Sequence, residues 1–161
     1  IRRYIMKFVL SLMLMTALAT GASAHGGGDS ATNDNGHEHT APHGGTLVVL
    51  GDEFAHLELV LDAETGKLTA YVLDGEAENP IRLEQEEIEM KIGAGGKDYL
   101  ALKLKAVPNV LTGETAGDSS EFSVQSDRLK GIERFGAVVT SITIKGKKFE
   151  EVEFGFPEGN E

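Results

Sequence analysis

Histidine is the chemistry-bearing residue of this chain, with five copies at His25, His37, His39, His43 and His56, and four of them precede residue 46. His37 and His39, separated by Glu38, can turn toward one ion in an extended or turned segment. His43 follows four residues after His39, and Glu38 or Asp34 can add an oxygen donor. Imidazole with carboxylate suits Zn(II), Cu(II), Ni(II) or Co(II), and the absence of cysteine removes any thiolate that would bias the site toward softer ions. Three of the five histidines lie between residues 37 and 43, more than composition alone supplies. The plainer alternative is an unselected polar linker.

His25 follows Ala22-Ser23-Ala24, a small-residue run of the kind signal peptidase requires. A cut after Ala24 would leave a free N-terminal histidine, able to hold Cu(II) through its α-amine and a ring nitrogen together. Against this stands the bland fact that some residue has to follow any cleavage site. His56 and Glu58 are two apart in a stretch read as a strand and so project from one face. The bland expectation for His56 is a half-exposed strand residue hydrogen-bonded to Glu58, a carboxylate that would also fix the imidazole tautomer. A plain hairpin across Gly51-Asp52 carries His43 toward Asp62 or Glu64. A composite site of His43, His56 and Glu58 therefore requires a different pairing or a tail that folds back. The expected metal ligands are His25, His37, His39 and His43, with His56 and Glu58 as ligands or supporting groups, and the expected ion is Cu(II) or Zn(II).

Catalysis finds less support. There is no Gly-x-Ser-x-Gly elbow, no His-Glu-x-x-His pair, no phosphate-cradling glycine loop and no cysteine nucleophile, and no histidine follows His56 to serve a serine as base. The expectation is a binding protein and not an enzyme. An N-terminal histidine is also used by copper monooxygenases that cut polysaccharides, but this chain has no tryptophan and is short for one. The run Glu84, Glu86, Glu87, Glu89 lacks the Asp/Asn/Gly spacing of a calcium loop and reads as a solvated strand face.

What must position these residues is a chain of three parts. Met6 and Lys7 lead into the apolar run Phe8 to Ala19 and then Thr20-Gly21-Ala22-Ser23-Ala24, which reads as a cleaved secretory signal over residues 1–24. The run is too short to span a bilayer, which takes roughly 20 apolar residues. Export to the periplasm or the outside is expected, with no membrane insertion once the signal is gone. Removal of those 24 residues leaves 137 of the 161, enough for one domain. It also removes Arg2, Arg3 and Lys7, so 12 of the 15 basic residues face 26 acidic ones and the formal charge falls from −11 to −14. Nucleic acid and anionic membranes are poor partners for such a chain; cations and basic surfaces are better ones.

Residues 25–45 carry six glycines and four histidines but no Val, Leu, Ile or Phe, so this segment is expected to be flexible until a ligand orders it. From residue 46 to 161 the pattern changes to period-two alternation. Leu57, Leu59 and Leu61 alternate with His56, Glu58 and Val60; Leu68, Ala70 and Val72, then Ile88, Met90 and Ile92, then Leu100, Leu102 and Leu104 repeat it, and Val138 to Lys145 does so again. Shorter candidates are Thr46 to Leu50, Glu121 to Val124 and Lys148 to Phe154, with turns at Glu64-Thr65-Gly66-Lys67, Leu73-Asp74-Gly75, Gly93-Ala94-Gly95-Gly96 and Lys145-Gly146-Lys147. About eight short strands predict an all-β antiparallel sandwich, Ig-like or cupredoxin-like, with a single helical turn between Ser126 and Phe135.

Pro42-His43-Gly44-Gly45, taken with Glu58-Leu59-Val60 and Tyr71-Val72-Leu73-Asp74, resembles small exported bacterial proteins that have a His-rich leader and a His-Gly-Gly lead-in to their first strand. The same segment is weakly similar to the N-terminal part of periplasmic adaptor subunits of heavy-metal efflux pumps. The resemblance covers about residues 42 to 74 and stops short of the adaptors' coiled-coil hairpin or lipoyl-like segment. It implies a β-sandwich connected with metal handling and a metal-efflux component or other envelope protein as partner. Together these readings predict an exported binder of a divalent transition metal, acting as buffer, chaperone or sensor. The competing expectation is a non-catalytic sandwich module that holds a protein or surface glycan by its acidic face or an open strand edge.

Overall fold

The computed structural model describes residues 39–93 and 99–160. Alternation becomes strand at every place it occurs. The eight strands are β1 (Thr46–Leu50), β2 (Ala55–Asp62), β3 (Lys67–Leu73), β4 (Glu87–Gly93), β5 (Leu100–Ala106), β6 (Glu121–Gln125), β7 (Phe135–Ile144) and β8 (Lys147–Phe156). All pairings are antiparallel, in the order β1-β2-β3-β6-β5-β4-β7-β8, so the protein is an all-β antiparallel fold built on one continuous eight-stranded sheet. The sheet curls until its two edge strands approach one another. Its concave face supplies the core, where Leu57, Leu68, Ile88, Leu104, Phe122 and Ile142 are fully buried. The expected helical turn is a 3-10 turn, Asp127–Leu129, with the Ser126 side chain accepting from Arg128 N and Leu129 buried.

Curling leaves β1 and β8 as edges, and an unpaired edge exposes backbone groups to wrong partners. The chain beyond β8 covers the β1 edge. Asn160 presents its side-chain amide to Val49 as another strand would present its backbone: Oδ1 accepts from Val49 N at 2.8 Å and Nδ2 donates to Val49 O at 3.1 Å. Thr46 Oγ1 donates to Pro157 O at 3.1 Å a little further along.

Between β5 and β6 the chain makes an arm outside the sheet, closed by bridges Asn109↔Glu114 and Thr115↔Asp118. Glu114 is its anchor, accepting from Ser120 N at 2.9 Å, Ser120 Oγ at 2.5 Å and Thr112 Oγ1 at 2.6 Å. Burial works to raise the Glu114 carboxyl, but these hydrogen bonds and the Arg82 guanidinium outweigh it and hold the group below its ordinary range. Among the described residues no helix is long and apolar enough to cross a membrane.

Candidate functional site

The hairpin expected from Gly51-Asp52 forms, pairing Thr46 with Leu59, Val48 with Leu57 and Leu50 with Ala55. This register alone would carry His43 past the far end of β2. The chain instead reverses just before β1, through a turn closed by Gly44 N donating to Ala41 O at 3.1 Å, with Gly44 at φ +69°. Gly45 then lies against β2 so closely that a Cβ there would sit 2.5 Å from Leu59 O and 2.8 Å from Val60 Cγ2. Only glycine fits that approach. Residues 39–43 are thereby laid over the outer face of the sheet. The end of the segment expected to be flexible is bonded to the barrel.

The clasp is Glu58, whose side chain is wholly buried. Its Oε1 accepts from His43 N at 2.8 Å and Gly45 N at 2.9 Å, and its Oε2 accepts from His43 Nδ1 at 2.7 Å. A carboxylate pointed outward from a strand normally costs little because water solvates it. Here three N–H groups replace that water, which is what allows the charge to be buried. His43 also stacks on Tyr71, with ring centroids 3.7 Å apart and planes 10° from parallel. Tyr71 faces Glu58 across the β2–β3 pair, and burial first, then the Glu121 and Glu58 carboxylates, push its phenol above the ordinary value. Glu58 is committed to holding the chain down, and His56 is not its partner.

His56 is fully buried too, not half-exposed, because the folded-back segment covers the face on which it stands. Its Nδ1 lies 3.1 Å from the carbonyl oxygen of Asp74, at the end of β3. A carbonyl can only accept, so Nδ1 carries the proton and a neutral ring must present a bare lone pair at Nε2. Asp74 is itself fixed: its carboxylate accepts from the backbone N–H groups of Glu78 and Asn79 and from the Asn79 amide at 2.7 Å. The Asn79 amide is the main reason that carboxyl lies below its ordinary value.

Against His56 packs His39, ring centroids 4.7 Å apart and planes inclined by 60°. The His39 side chain is only 8% exposed. The Nε2 atoms of both rings are buried and without a hydrogen-bond partner among the described residues, and they are the only buried side-chain polar atoms there in that condition. Leaving such a group unsatisfied costs about 1–3 kcal/mol. Both atoms carry that cost among the described residues, on rings packed against each other. Glu53, on the tip between β1 and β2, places Oε1 3.7 Å from His39 Nε2, too long for a hydrogen bond.

The structure thus brings His39, His43, His56 and Glu58 together, on a segment and a strand that sequence spacing alone kept apart. They serve two purposes: His43 and Glu58 fasten the segment, while His39 and His56 each bury an Nε2 that has no partner among the described residues. His25 and His37 lie outside the described residues. Among the described residues no group of three or more His, Cys, Asp or Glu side chains is placed so that it could hold a metal ion. Asp74, Tyr71 and Glu53 were not among the residues singled out from sequence. Of these only Tyr71-Val72-Leu73-Asp74 carried any signal, as part of a motif, and Asp74 acts through a backbone oxygen that no residue type announces. Comparison with protein-family models, with curated proteins and with solved structures finds no match, so the reading of this site rests on its own chemistry.

Proposed function

We propose that this chain is an exported, extracytoplasmic protein that binds a divalent transition metal as a buffer, chaperone or sensor. The paired Nε2 atoms of His39 and His56 form the centre of its site. One observation carries the reading: the packed rings of His39 and His56 each bury an Nε2 that has no partner among the described residues, and the tautomer of His56 is set by a backbone carbonyl to expose a lone pair. That is the arrangement by which metal-ligating histidines are prepared. An ion of the zinc or copper class would satisfy both nitrogens at once, and the absence of thiolate keeps the preference with such ions. The reading is one of binding and assigns no catalytic step. The acidic balance of the chain would favour arrival of a cation.

Titration of the purified chain with Zn(II) and Cu(II), beside His56→Ala and His39→Ala, tests it. His56→Ala leaves every histidine of the tail in place. A site made by the tail alone would bind as before in that variant; the proposed site loses its affinity. Wild-type binding no tighter than about millimolar would end the metal reading.

A second reading, a non-catalytic interaction module, is favoured by the arm between β5 and β6. At its tip Val110 and Leu111 are 95% and 94% exposed, on a loop held by the Glu114 bonds and by Asn109 Oδ1 accepting from Leu111 N at 3.0 Å. Replacing both with serine would abolish in-cell cross-linking to a partner under this reading and leave metal binding unchanged.

A further inference from the structure

We propose that the cavity between the folded-back segment, β3 and the arm is a second binding site, and that it takes an organic cation. The group it fits is an alkylammonium or alkylguanidinium, free or carried by a lysine or arginine side chain. Neither His39 nor His56 lines this cavity, so the site does not depend on the metal reading. It encloses about 320 Å³, at the lower end of the roughly 300–1,000 Å³ typical of ligand sites, which suits one side-chain-sized group. Pro42, Leu73 and Pro80 give it apolar walls. The carboxylates of Glu78, Glu114 and Glu121 line it, and among the described residues no lysine or arginine does.

Strand register explains the charge. Glu58 stands opposite Tyr71 on the β2–β3 pair, and Tyr71 stands opposite Glu121 on the β3–β6 pair. One row across the outer face therefore reads carboxylate, phenol, carboxylate, where opposite charges would stabilise the sheet. Glu58 is answered by the three N–H groups of the clasp. Glu121 is not: its half-buried side chain has no hydrogen bond or ion pair among the described residues. Glu114 spends its oxygens on Ser120 and Thr112. Arg82 stands 3.9 Å from Glu114, but its donors go to Asp118 Oδ2 at 2.9 Å and Thr112 O at 2.6 Å. The uncompensated charge is felt at Tyr71, whose phenol is pushed up by burial and then by Glu121 and Glu58. A field that opposes a phenolate favours a cation in the same place.

The hydrogen-bonding groups point the same way. With Nδ1 donating to Glu58, a neutral His43 ring offers only an acceptor at Nε2, and ionised Glu78 and Glu121 can only accept. A ligand that satisfies them must bring N–H donors, on a stem apolar enough to lie against the two prolines and Leu73. An ammonium or guanidinium on a short alkyl chain meets both demands. An anion would find no countercharge, and a neutral ligand would desolvate the carboxylates without one.

The test is an NMR-monitored titration of the full chain with n-butylammonium, n-butylguanidinium and n-butanol, and with blocked tripeptides that carry one central lysine or arginine. Wild type, Glu121→Gln and Glu78→Gln are compared. The cations should shift the amide signals of Tyr71, Glu121 and Thr112 saturably, and butanol, with the same stem and no charge, should not. Glu121→Gln should weaken binding on the order of tenfold, as loss of one hydrogen bond between charged groups does, and leave Zn(II) and Cu(II) affinity unchanged. A chain that binds the cations but neither metal keeps this site and loses the metal reading. Tripeptides that bind at least about ten times tighter than the free cations assign the site to a protein side chain, and weaker ones to a free amine. Equal shifts with butanol, or affinities within about twofold of wild type in both variants, overturn the proposal.

Discussion

Replacing Glu58 with alanine tests whether this buried carboxylate is what brings the two halves of the site together. Three N–H groups point at it, from His43 N, Gly45 N and His43 Nδ1, at 2.8, 2.9 and 2.7 Å. Bonds to a charged acceptor contribute about 1.5–3 kcal/mol each, so simple addition would give roughly 4.5–9 kcal/mol. The loss is smaller than that sum, because the segment can lift away and let water satisfy the stranded donors. Removal of one partner from a buried charged pair costs about 3–5 kcal/mol, and we expect Glu58→Ala to fall in that range. Glu58→Gln should cost less. Its amide oxygen can still accept both backbone N–H groups, and only the His43 ring must change tautomer to accept from the new NH₂. Urea denaturation would read the stability difference, and amide hydrogen exchange at Gly45 would read the clasp directly. A lifted segment also takes His39 from His56, so apparent metal affinity should fall by the factor in which the docked population falls, about tenfold for each 1.4 kcal/mol. If Gly45 stays protected in Glu58→Ala and stability changes by less than about 1 kcal/mol, the clasp is not what holds the segment, and the argument for its role fails.

Three further outcomes follow from other contacts. Gly45→Ala places a methyl 2.5 Å from Leu59 O and should destabilise the docked segment by about 1–3 kcal/mol, read as faster exchange at His43 with β3 and β6 protection unchanged. Asn160→Ala removes both side-chain bonds to Val49 and should cost about 1–3 kcal/mol while exposing the β1 edge; concentration-dependent self-association in sedimentation is the sign to look for, and an unchanged monomer with unchanged stability would contradict the capping role. The Glu114 carboxyl lies below its ordinary value of 4.5, so its stabilising contribution is complete above that pH and is lost as the pH falls through the lower folded-state value. The stability gap between wild type and Glu114→Gln should therefore be wide near neutrality and close under acid, and a gap constant down to the acid limit would refute the assignment.

Strand positions were legible because alternation is local: an apolar residue at every second place has one side to bury, whatever the rest of the chain does. The same holds for the 3-10 turn capped by Ser126 and the hairpin between β1 and β2. Residue type also identified His39, His43, His56 and Glu58 as chemically capable, but assigned the wrong surroundings to two of them. His56 was read as half-exposed and paired with Glu58, because a strand with one wet face is the default. What covers that face is a segment whose composition promised no packing at all. Its docking depends on the reversal at Gly44 and the approach at Gly45, and on a carboxylate fifteen residues further along the chain from His43.

By itself the sequence determined the strands, the acidic balance of the chain and a donor set of imidazole and carboxylate without sulfur. Tertiary structure decided which of those donors meet and in what state. The proton on His56 is placed by a backbone carbonyl at Asp74, and the position of His39 by the Glu58 clasp. Each is a relation between atoms distant in sequence, and residue type carries no record of such relations. Periodicity is encoded within a few residues; the pairing of lone pairs is settled only when the chain has closed upon itself.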